Sequence, residues 1–486
     1  MYASTPPYHP SEAFPEWPDA PQGSEDNPAY RAVRHLFRAL GYDAEKYGTP
    51  DWNPLGALIT PGDTVVLKPN LVSHLNLGYR SYGETDTDSL VTHGSVIRAV
   101  MDYAARALQG SGRLIIGDCP IQDTDWDALL ALVGLPEIAA YAEGRFPGVS
   151  VEVRDYRLGT AVIRNGVLVE RVVRDAAEDE YREVDLGRDS LLIPLMDGKA
   201  EFGVSRYPRH RMRRAHTPER NLYLLPRDFL EADVLINLPK LKSHMKAGIT
   251  CALKNLVGLN GHKDYLPHFR YGSPKNGGDE YPDGNWAWDL MWRCRHADWD
   301  RDSGRLKLAF FYMGAALTQL LPVIAGKPRR AVTLGGGAWH GNETLWRTVL
   351  DINRLFLHYD RASGTVGGGT GGRRRYLAIL DGLVGGHRES PLAPSPVRSG
   401  VMAAAHNPLA MDGVATALMR FDVRRIKQIT EGFGLATLPL ASFGLEDVRV
   451  LTGDGDASIA DLYRDGVGTS FEPSLGFRGH IEYEET

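Results

Sequence analysis

The side chains best suited to chemistry lie close together in residues 233–260, DVLINLPKLKSHMKAGITCALKNLVGLN. They are four lysines and one histidine: Lys240, Lys242, His244, Lys246 and Lys254. Ammonium groups held this close repel one another unless something negative lies among them, so the segment predicts a bound phosphate or carboxylate, or buried acidic partners. A solvated basic turn is the alternative interpretation. The apolar residues 251–253, directly before Lys254, favour a buried site.

A predicted strand delivers these side chains to the edge of a sheet. Residues 234–237 are mostly aliphatic and include the β-branched Val234 and Ile236, which predicts a buried strand. Pro239 has no main-chain N–H to donate, so we expect the chain to turn out of the sheet there. The lysines and the histidine would then lie at the carboxyl edge, where open α/β sheets bind their ligands.

Polar residues also follow two other predicted strands. Lys68 and Asn70 come after the strand at residues 64–67, and Asp118 comes after the strand at residues 113–117. Side chains at these positions commonly carry function in a doubly wound sheet. A turn or helix-capping role is an equal alternative for Asp118.

The order of the predicted elements favours an α/β fold with a layered parallel or mixed sheet and a second α/β lobe. In the first half, strands are predicted at 64–67, 113–117, 149–153 and 234–237, and helices at 95–108 and 125–132. In the second half, helices are predicted at 345–357 and 409–420, and strands at 376–380 and 400–404. We expect a proline-rich N-terminal arm at residues 1–58, an α/β domain with the lysine-rich site and the 261–283 loop at residues 59–330, and the second lobe at residues 331–486.

Residues 261–283 predict a long polar loop that could cover the site. The loop carries His262, Lys263, Asp264, His268, Arg270, Lys275, Asp279 and Glu280. Loops of this kind act as lids or carry catalytic groups. His268, Asp279 and Glu280 could bind a divalent metal or transfer protons, although no compact motif such as HExxH supports the metal.

Two aspartates of the second half are candidates for the same site. Asp381 ends a predicted strand, and Asp412 lies at the start of a predicted helix. Asp412 could cap that helix or could orient a site lysine. The glycine-rich loop at residues 364–372 lacks the Lys-Ser or Lys-Thr of a Walker motif, so we expect a flexible connector.

The composition narrows the classes of function. A net charge of −6 over 486 residues gives no indication of nucleic-acid binding. Cys119, Cys251 and Cys294 lie too far apart to encode an iron–sulfur cluster or a cysteine zinc site, and they favour a reducing compartment. The first residues lack the basic start and apolar core of a signal peptide, so we expect a cytoplasmic protein.

Residues 308–325 are nearly uncharged and about long enough to cross a bilayer. Thr318, Gln319 and Pro322 interrupt the run, and Lys327, Arg329 and Arg330 follow it. We expect a buried helix, with peripheral membrane contact as the alternative.

Several blocks resemble the family called domain of unknown function 362. They are VVLKPNLV (65–72), THGSVIRAV (92–100), LPKLKSHMKAGITCALKNLVGLNGHKDYLPH (238–268), GSPKNGGDEYP (272–282), GNETLWRTVLDIN (341–353), LAILDGLVGGHRESPL (377–392) and NPLAMDGVA (407–415). The chain departs from the family at His387, Arg388 and Ser390, where acidic residues or glycine are usual, and it lacks the ferredoxin-like cysteine runs of some members. The resemblance implies no reaction.

A more distant similarity connects His244 and Lys254 with the lactate racemase family. There the matching histidine is an acid/base group and the matching lysine anchors a nickel-pincer cofactor. The glycine-rich sequence before that lysine is replaced here by ITCALKN. The counterpart of the nickel-ligand histidine is not fixed, although His268 lies near.

Together these patterns predict an enzyme that acts on a small anionic metabolite by acid/base chemistry at carbon. Lys68, Lys240, Lys242 and Lys254 would hold its carboxylate or phosphate, with Asn70, Asn255, Asp381 and Asp412 as further binding candidates. His244 would act as general base or acid, with its pKa lowered by the ammonium groups, and Lys254 and His268 are further catalytic candidates. The alternatives are a metal-dependent enzyme using His268, Asp279 and Glu280, and a non-catalytic anion-binding protein of a biosynthetic or surface-polymer pathway.

Overall fold

A mixed β-sheet lies at the centre of the protein, and its strands are apolar on both faces. The computed structural model describes residues 2–79, 83–164, 167–175, 179–198, 200–282, 286–301, 304–324, 334–367, 374–453 and 455–484. Asp283, residues 368–372 of the glycine-rich loop, and the basic residues Lys327, Arg329 and Arg330 lie outside these ranges.

The strands are β1 (Thr64–Pro69), β2 (Gly112–Asp118), β3 (Val149–Asp155), β4 (Gly159–Arg164), β5 (Val167–Val173), β6 (Tyr181–Asp185), β7 (Phe202–Gly203), β8 (His216–Thr217), β9 (Arg220–Pro226), β10 (Val234–Leu238), β11 (Lys240–His244), β12 (Gly248–Ile249), β13 (Phe269–Arg270), β14 (Tyr359–Asp360), β15 (Thr365–Val366), β16 (Arg375–Glu389), β17 (Ala393–Val397), β18 (Val401–Ala405), β19 (Arg449–Thr452) and β20 (Gly455–Ser458). The helices are α1 (Pro28–Ala39), α2 (Gly94–Leu108), α3 (Trp126–Val133), α4 (Leu135–Arg145), α5 (Arg209–Ala215), α6 (Arg227–Glu231), α7 (Cys251–Asn255), α8 (Trp286–Trp299), α9 (Arg305–Ile324), α10 (Leu345–His358), α11 (Pro408–Leu418), α12 (Lys427–Phe433) and α13 (Ile459–Arg464).

The sheet is parallel from β3 through β2, β1 and β10 to β16. Strand β16 is long enough to pair with β10 and then with β11 on one side. On its other side it pairs antiparallel with β18 and then with β17. The predicted layered α/β sheet is therefore confirmed, with a parallel centre and an antiparallel edge.

The alternation of side chains along the central strands divides the core into two layers. Val65 and Leu67 of β1 pack into one cluster with helices α1 to α4, whereas Val66 packs into the other with α7, α10 and α11. Successive residues of a strand point to opposite faces. Lys68 therefore lies on the same face as Val66, which is the face covered by α7.

Pro239 does not take the chain out of the sheet as predicted. Strand β11 begins at the next residue and continues beside β16, with Lys240 opposite Asp381. The main-chain N–H of Asp381 donates to the carbonyl of Pro239 at 2.9 Å. Pro239 therefore takes part in the pairing as an acceptor, and the sheet lacks only the hydrogen bond that a main-chain N–H at this position would donate. A bulge between Lys240 and Lys242 absorbs the irregularity.

Both ends of the chain are more closely joined to the central sheet than the sequence indicates. Residues 331–486 do not keep their strands in a separate lobe, because β16, β17 and β18 belong to the same sheet as β1 and β10. The proline-rich arm contains α1, whose Tyr30, Val33 and Phe37 are buried. These residues stabilise the face of the sheet opposite α7.

Helices α8 and α9 pack against each other beside the 261–282 loop, and α9 includes the apolar run predicted to be a buried helix. It is not buried throughout: Tyr312 is 63% exposed and Val323 is 82% exposed. Within the described residues, the structure contains no helix with the length and apolar character needed to cross a membrane.

Candidate active site

A cavity of about 440 Å³ opens where β1, β2 and β11 end, beside α7 and the 261–282 loop. Its charged lining residues within the described ranges are Lys68, Asp118, Asp123, Arg157, Arg206, Lys246, Lys254 and Lys263, and the histidines His244 and His268 also line it. Cations outnumber carboxylates in this set. The cavity therefore has a positive potential that favours an anion.

Helix α7 positions Lys254 and is held by a buried carboxylate. Asp412 of α11 accepts hydrogen bonds from the main-chain N–H groups of Ala252 at 2.6 Å and Leu253 at 3.2 Å. The first N–H groups of a helix have no partner within the helix, so an acceptor there fixes its start. Asp412 thus acts on the site through α7 and does not itself line the cavity.

An amide network joins α7 to the end of β1. The side-chain oxygen of Asn255 accepts from the amide of Asn70 at 2.8 Å, and the Asn255 amide donates to Asn237 at 2.7 Å. The same amide also donates to the carbonyl of Lys68 at 3.2 Å. These buried hydrogen bonds fix the strand end against the helix, although the side-chain oxygen of Asn70 has no partner in the network.

The ammonium group of Lys68 is neutralised within the site. It lies 2.7 Å from Asp118 Oδ1 and donates to the carbonyl of Pro69 at 2.8 Å. Asp118 also accepts from the main-chain N–H of Leu71 at 2.7 Å, which fixes the turn after β1. The predicted turn role of Asp118 is therefore observed, and the same carboxylate also pairs with Lys68 in the cavity lining.

Lys254 and Lys246 differ from Lys68 because neither makes an ion pair or hydrogen bond to another side chain in the described part of the protein. Burial and then the nearby Lys246 and Lys263 lower the pKa of Lys254 to about 7. Burial and then Lys263 lower the pKa of Lys246 to about 8. At pH 7 about half of the Lys254 amine is therefore neutral, whereas Lys246 is still mostly charged.

Lys263 and Arg206 add two further positive side chains to the cavity lining. Lys263 donates to the side-chain oxygen of Gln122 at 2.6 Å, and burial lowers its pKa to about 8. Arg206 is half-buried and has no carboxylate partner among the described residues. Its φ of 71° is in the left-handed region, which is uncommon outside glycine and often marks a functional position.

His244 is held in one tautomer by its own turn. Its Nδ1 accepts from the main-chain N–H groups of Lys246 at 3.0 Å and Ala247 at 3.2 Å. A neutral imidazole with Nδ1 as acceptor carries its proton on Nε2. Burial and then Lys254 and Lys246 lower the pKa of His244 well below its usual value, so the ring stays neutral and presents an N–H donor.

His268 is held in the opposite tautomer. Its Nδ1 lies 2.8 Å from the carbonyl of Leu266, which can only accept, so Nδ1 carries the proton and Nε2 has a free lone pair. Burial and then Lys246 and Lys254 lower the pKa of His268 well below its usual value. The cavity thus contains one imidazole that donates and one that can accept a proton.

Lys240 and Asp381 form a separate buried cluster. The ammonium of Lys240 lies 2.9 Å from Asp381 Oδ2 and 2.9 Å from the hydroxyl of Tyr2, which also donates to Asp381. The ring of Tyr2 stacks on His93 with centroids 4.0 Å apart. Lys240 and Asp381, both predicted to bind substrate, do not line this cavity.

Lys242 is also placed away from the cavity. It is fully buried and donates to the carbonyl of Leu90 at 2.6 Å. Burial and then the charges of Lys240 and Lys254 lower its pKa well below the usual value.

The predicted metal ligands of the 261–282 loop serve the loop itself. Asp279 accepts from the main-chain N–H of Arg270 at 2.5 Å and from the hydroxyl of Thr344 at 2.7 Å. Glu280 lies 2.9 Å from His296 of α8. No three His, Cys, Asp or Glu side chains of the described ranges form a metal-binding group, so the set His268, Asp279 and Glu280 is corrected.

The structure therefore sorts the sequence-based candidates. Lys68, Asn70, His244, Lys254, Asn255 and His268 line the cavity, whereas Lys240, Lys242, Asp381 and Asp412 lie outside it. Arg206 and Gln122 belong to the lining without any motif that marks them. No helix or strand is predicted at residues 204–207. Only the tertiary structure brings Arg206 to the same cavity as Lys254 of α7.

Comparison with known proteins supports the family assignment for the part of the chain that holds most of this lining. Residues 204–417 match the family model of a domain of unknown function, DUF362. The match covers Arg206 and the segment from His244 to His268, but not Lys68 and Asp118. Comparisons with curated proteins and with solved structures gave no significant match.

Proposed function

We propose that this protein is an enzyme that binds a small anionic metabolite in the cavity and transfers a proton at one of its carbon atoms. The observation that carries the proposal is the pair of neutral histidines of opposite tautomer, His244 and His268, in a cavity where Lys246, Lys254 and Arg206 have no carboxylate partner among the described residues. A plain anion-binding protein needs the cations. It has no need of an imidazole held ready to accept a proton.

Anion binding is assigned to Lys246, Lys263 and Arg206. These side chains have no carboxylate partner within ion-pair distance in the described residues, so a carboxylate or phosphate would complete their charge. Lys68 contributes less, because Asp118 already neutralises it. A cavity of about 440 Å³ matches a metabolite of small size.

Proton transfer is assigned to His268 and not to His244. The lone pair of His268 Nε2 is free, whereas protonation of His244 at Nδ1 would break two main-chain hydrogen bonds. The Nε2–H of His244 is suited to stabilise negative charge that develops on a substrate oxygen when carbon loses its proton. The arrangement resembles a neutral imidazole electrophile beside a separate base.

Hydrogen exchange with solvent tests the proposal without knowledge of the product. Lactate, pyruvate, malate and 2-phosphoglycerate are first ranked by the thermal stabilisation that each gives. The stabilising anions are then incubated with the protein in D₂O, and loss of their C–H signals is followed by NMR. We expect exchange that His268→Gln abolishes. Stabilisation without exchange for every anion would instead support the non-catalytic alternative.

Two features support proposals on location and partners. The cytoplasm is proposed because Cys119, Cys251 and Cys294 are all free thiols. Peripheral membrane contact of α9 is proposed because exposed Leu306, Leu320 and other apolar side chains follow the exposed Arg305. An apolar helix face with basic flanks is typical of a helix that lies on an anionic lipid surface.

A further inference from the structure

Lys254 is the lysine of the cavity that no other side chain engages. Lys68 pairs with Asp118, and Lys263 donates to Gln122. The Nζ atom of Lys246 lies over the ring of Phe269, 5.8 Å from its centroid, which favours the charged form. The Lys254 amine has neither an aromatic face nor a hydrogen-bond acceptor within the described ranges.

The backbone before Lys254 is strained as well. Cys251, the first residue of α7, has a φ of 41° although it is not glycine, and it is fully buried. Such a conformation is unfavourable for a residue with a side chain and persists where the surrounding structure enforces it, often at functional sites. Here Asp412 enforces it by fixing the N–H groups of the next two residues. The strain holds α7, and with it Lys254, at one orientation to the cavity.

We propose that Lys254 forms an imine with the carbonyl carbon of an anionic substrate, so that the substrate class is a small aldehyde or ketone bearing a carboxylate or phosphate. This inference rests on the proposed function, because it uses the same cavity and the same base. It adds a covalent step that acid/base chemistry alone does not require.

The step balances with groups present in the cavity and water. The lone pair of the neutral Lys254 amine attacks the carbonyl carbon, and the carbonyl oxygen leaves as water after proton transfer, which gives a protonated imine. His268 Nε2 then takes a proton from the neighbouring carbon, and the electron pair of that C–H bond moves toward the imine nitrogen. Return of the proton and addition of water release the product and regenerate the amine.

The neighbouring cations serve both parts of the step. Burial has the largest effect on the pKa of Lys254, and Lys246 and Lys263 lower it further. Part of the amine is therefore neutral and nucleophilic near pH 7. The same two side chains, with Arg206, can hold the anionic group of the substrate. An anion without a carbonyl group would bind to the cations but would not react with the Lys254 amine.

Reductive trapping tests this inference on the intact protein. Pyruvate and pyridoxal 5′-phosphate, a carboxylate ketone and a phosphate aldehyde, are each added with sodium cyanoborohydride at pH 7. Peptide mass spectrometry then locates lysines whose mass has increased by the carbonyl compound less one oxygen atom. Neutral fractions at pH 7 for amines of pKa about 7 and about 8 differ roughly fivefold, so Lys254 should be labelled about fivefold faster than Lys246 with at least one probe.

Two matched variants separate charge from nucleophilicity. Lys254→Arg keeps the positive charge but cannot form an imine, so labelling should be lost while stabilisation by inorganic phosphate or oxalate remains. Lys246→Arg should keep labelling at Lys254. Either of two results would overturn the imine. One is labelling of the wild-type protein that is no greater than that of Lys254→Arg, and the other is labelling of Lys246 and Lys263 equal to that of Lys254. Loss of trapping alone leaves the proposed function intact, whereas absence of both stabilisation and exchange removes the proposed function.

Discussion

The carboxylate of Asp412 accepts a hydrogen bond of 2.6 Å from the main-chain N–H of Ala252, although the two residues lie 160 positions apart. This contact joins α11 to α7 beneath the cavity. It links the stability of the second half of the chain to the orientation of Lys254, because α7 is little more than one turn long.

Removal of that carboxylate should destabilise the protein and loosen the site. Asp412→Ala leaves two buried N–H groups without an acceptor, and we expect a loss of about 1.5–3 kcal/mol in the free energy of unfolding for each hydrogen bond to a charged group. Asp412→Asn keeps one acceptor oxygen and should lose less. Urea unfolding measures both, with Asp456→Ala on exposed β20 as control. Equal stability of Asp412→Ala and the control would contradict the capping role.

Replacement of Lys254 and of Lys240 should have opposite effects on the empty protein. Lys254→Met removes a buried amine whose pKa is lowered by burial and by neighbouring lysines more than Asp118 raises it, so thermal stability without ligand should be unchanged or higher. Lys240→Met leaves Asp381 buried without its cation, and we expect a loss of about 3–5 kcal/mol in the free energy of unfolding. Calorimetry compares the two. A similar loss for both would show that Lys254 has a partner in the empty cavity.

The tautomers of the two cavity histidines can be read directly. Long-range ¹H–¹⁵N correlation spectra at pH 7 should show His244 protonated on Nε2 and His268 protonated on Nδ1, because each Nδ1 has a main-chain partner of opposite type. The variants His244→Gln and His268→Gln assign the signals. Spectra with both rings in the same tautomer, or with either ring as imidazolium, would remove the basis for the proposed roles.

Acidification should destabilise the protein through these histidines. Their pKa values in the folded state lie well below the ordinary 6.5, so below that pH the unfolded chain binds protons that the folded protein does not. Stability therefore falls as pH decreases below about 6.5, by about 1.4 kcal/mol per pH unit for each such histidine. Urea unfolding between pH 7.5 and 5 should show a smaller slope for His268→Gln than for wild type. The same substitution at exposed His35 serves as control, and identical slopes for the two variants would refute the assignment.

Contact of α9 with lipid should depend on its exposed apolar side chains. Tyr312 is 63% exposed and Leu320 is 52% exposed, so Tyr312→Glu with Leu320→Glu should abolish co-sedimentation with phosphatidylserine vesicles without unfolding the protein. Leu451→Glu, at a leucine that is 68% exposed on the β19–β20 hairpin, is the matched control. Absence of wild-type binding to vesicles at low salt would argue against a membrane contact.

The amino-acid sequence by itself determined several of the elements and indicated where the candidate site lies. Apolar strands such as Val234–Leu238 and amphipathic helices such as Leu345–His358 follow from local periodicity, and their predicted positions agree with the structure to within a few residues. The cluster of lysines after a buried strand also marked the carboxyl edge, because parallel strands end together. Lys254 could be predicted for that reason, whereas His268 was predicted from the polar loop at residues 261–283, and both line the cavity.

Only the tertiary structure decided which of those side chains share the cavity. Lys240 and Lys242 belong to the same lysine run as Lys246, yet the first pairs with Asp381 and the second donates to Leu90. Their partners come from distant parts of the chain, 141 positions away for Lys240 and 152 for Lys242. The tautomers of the histidines depend on single main-chain contacts within their turns. Such contacts are set by packing of the whole chain, which no local pattern of residue types records.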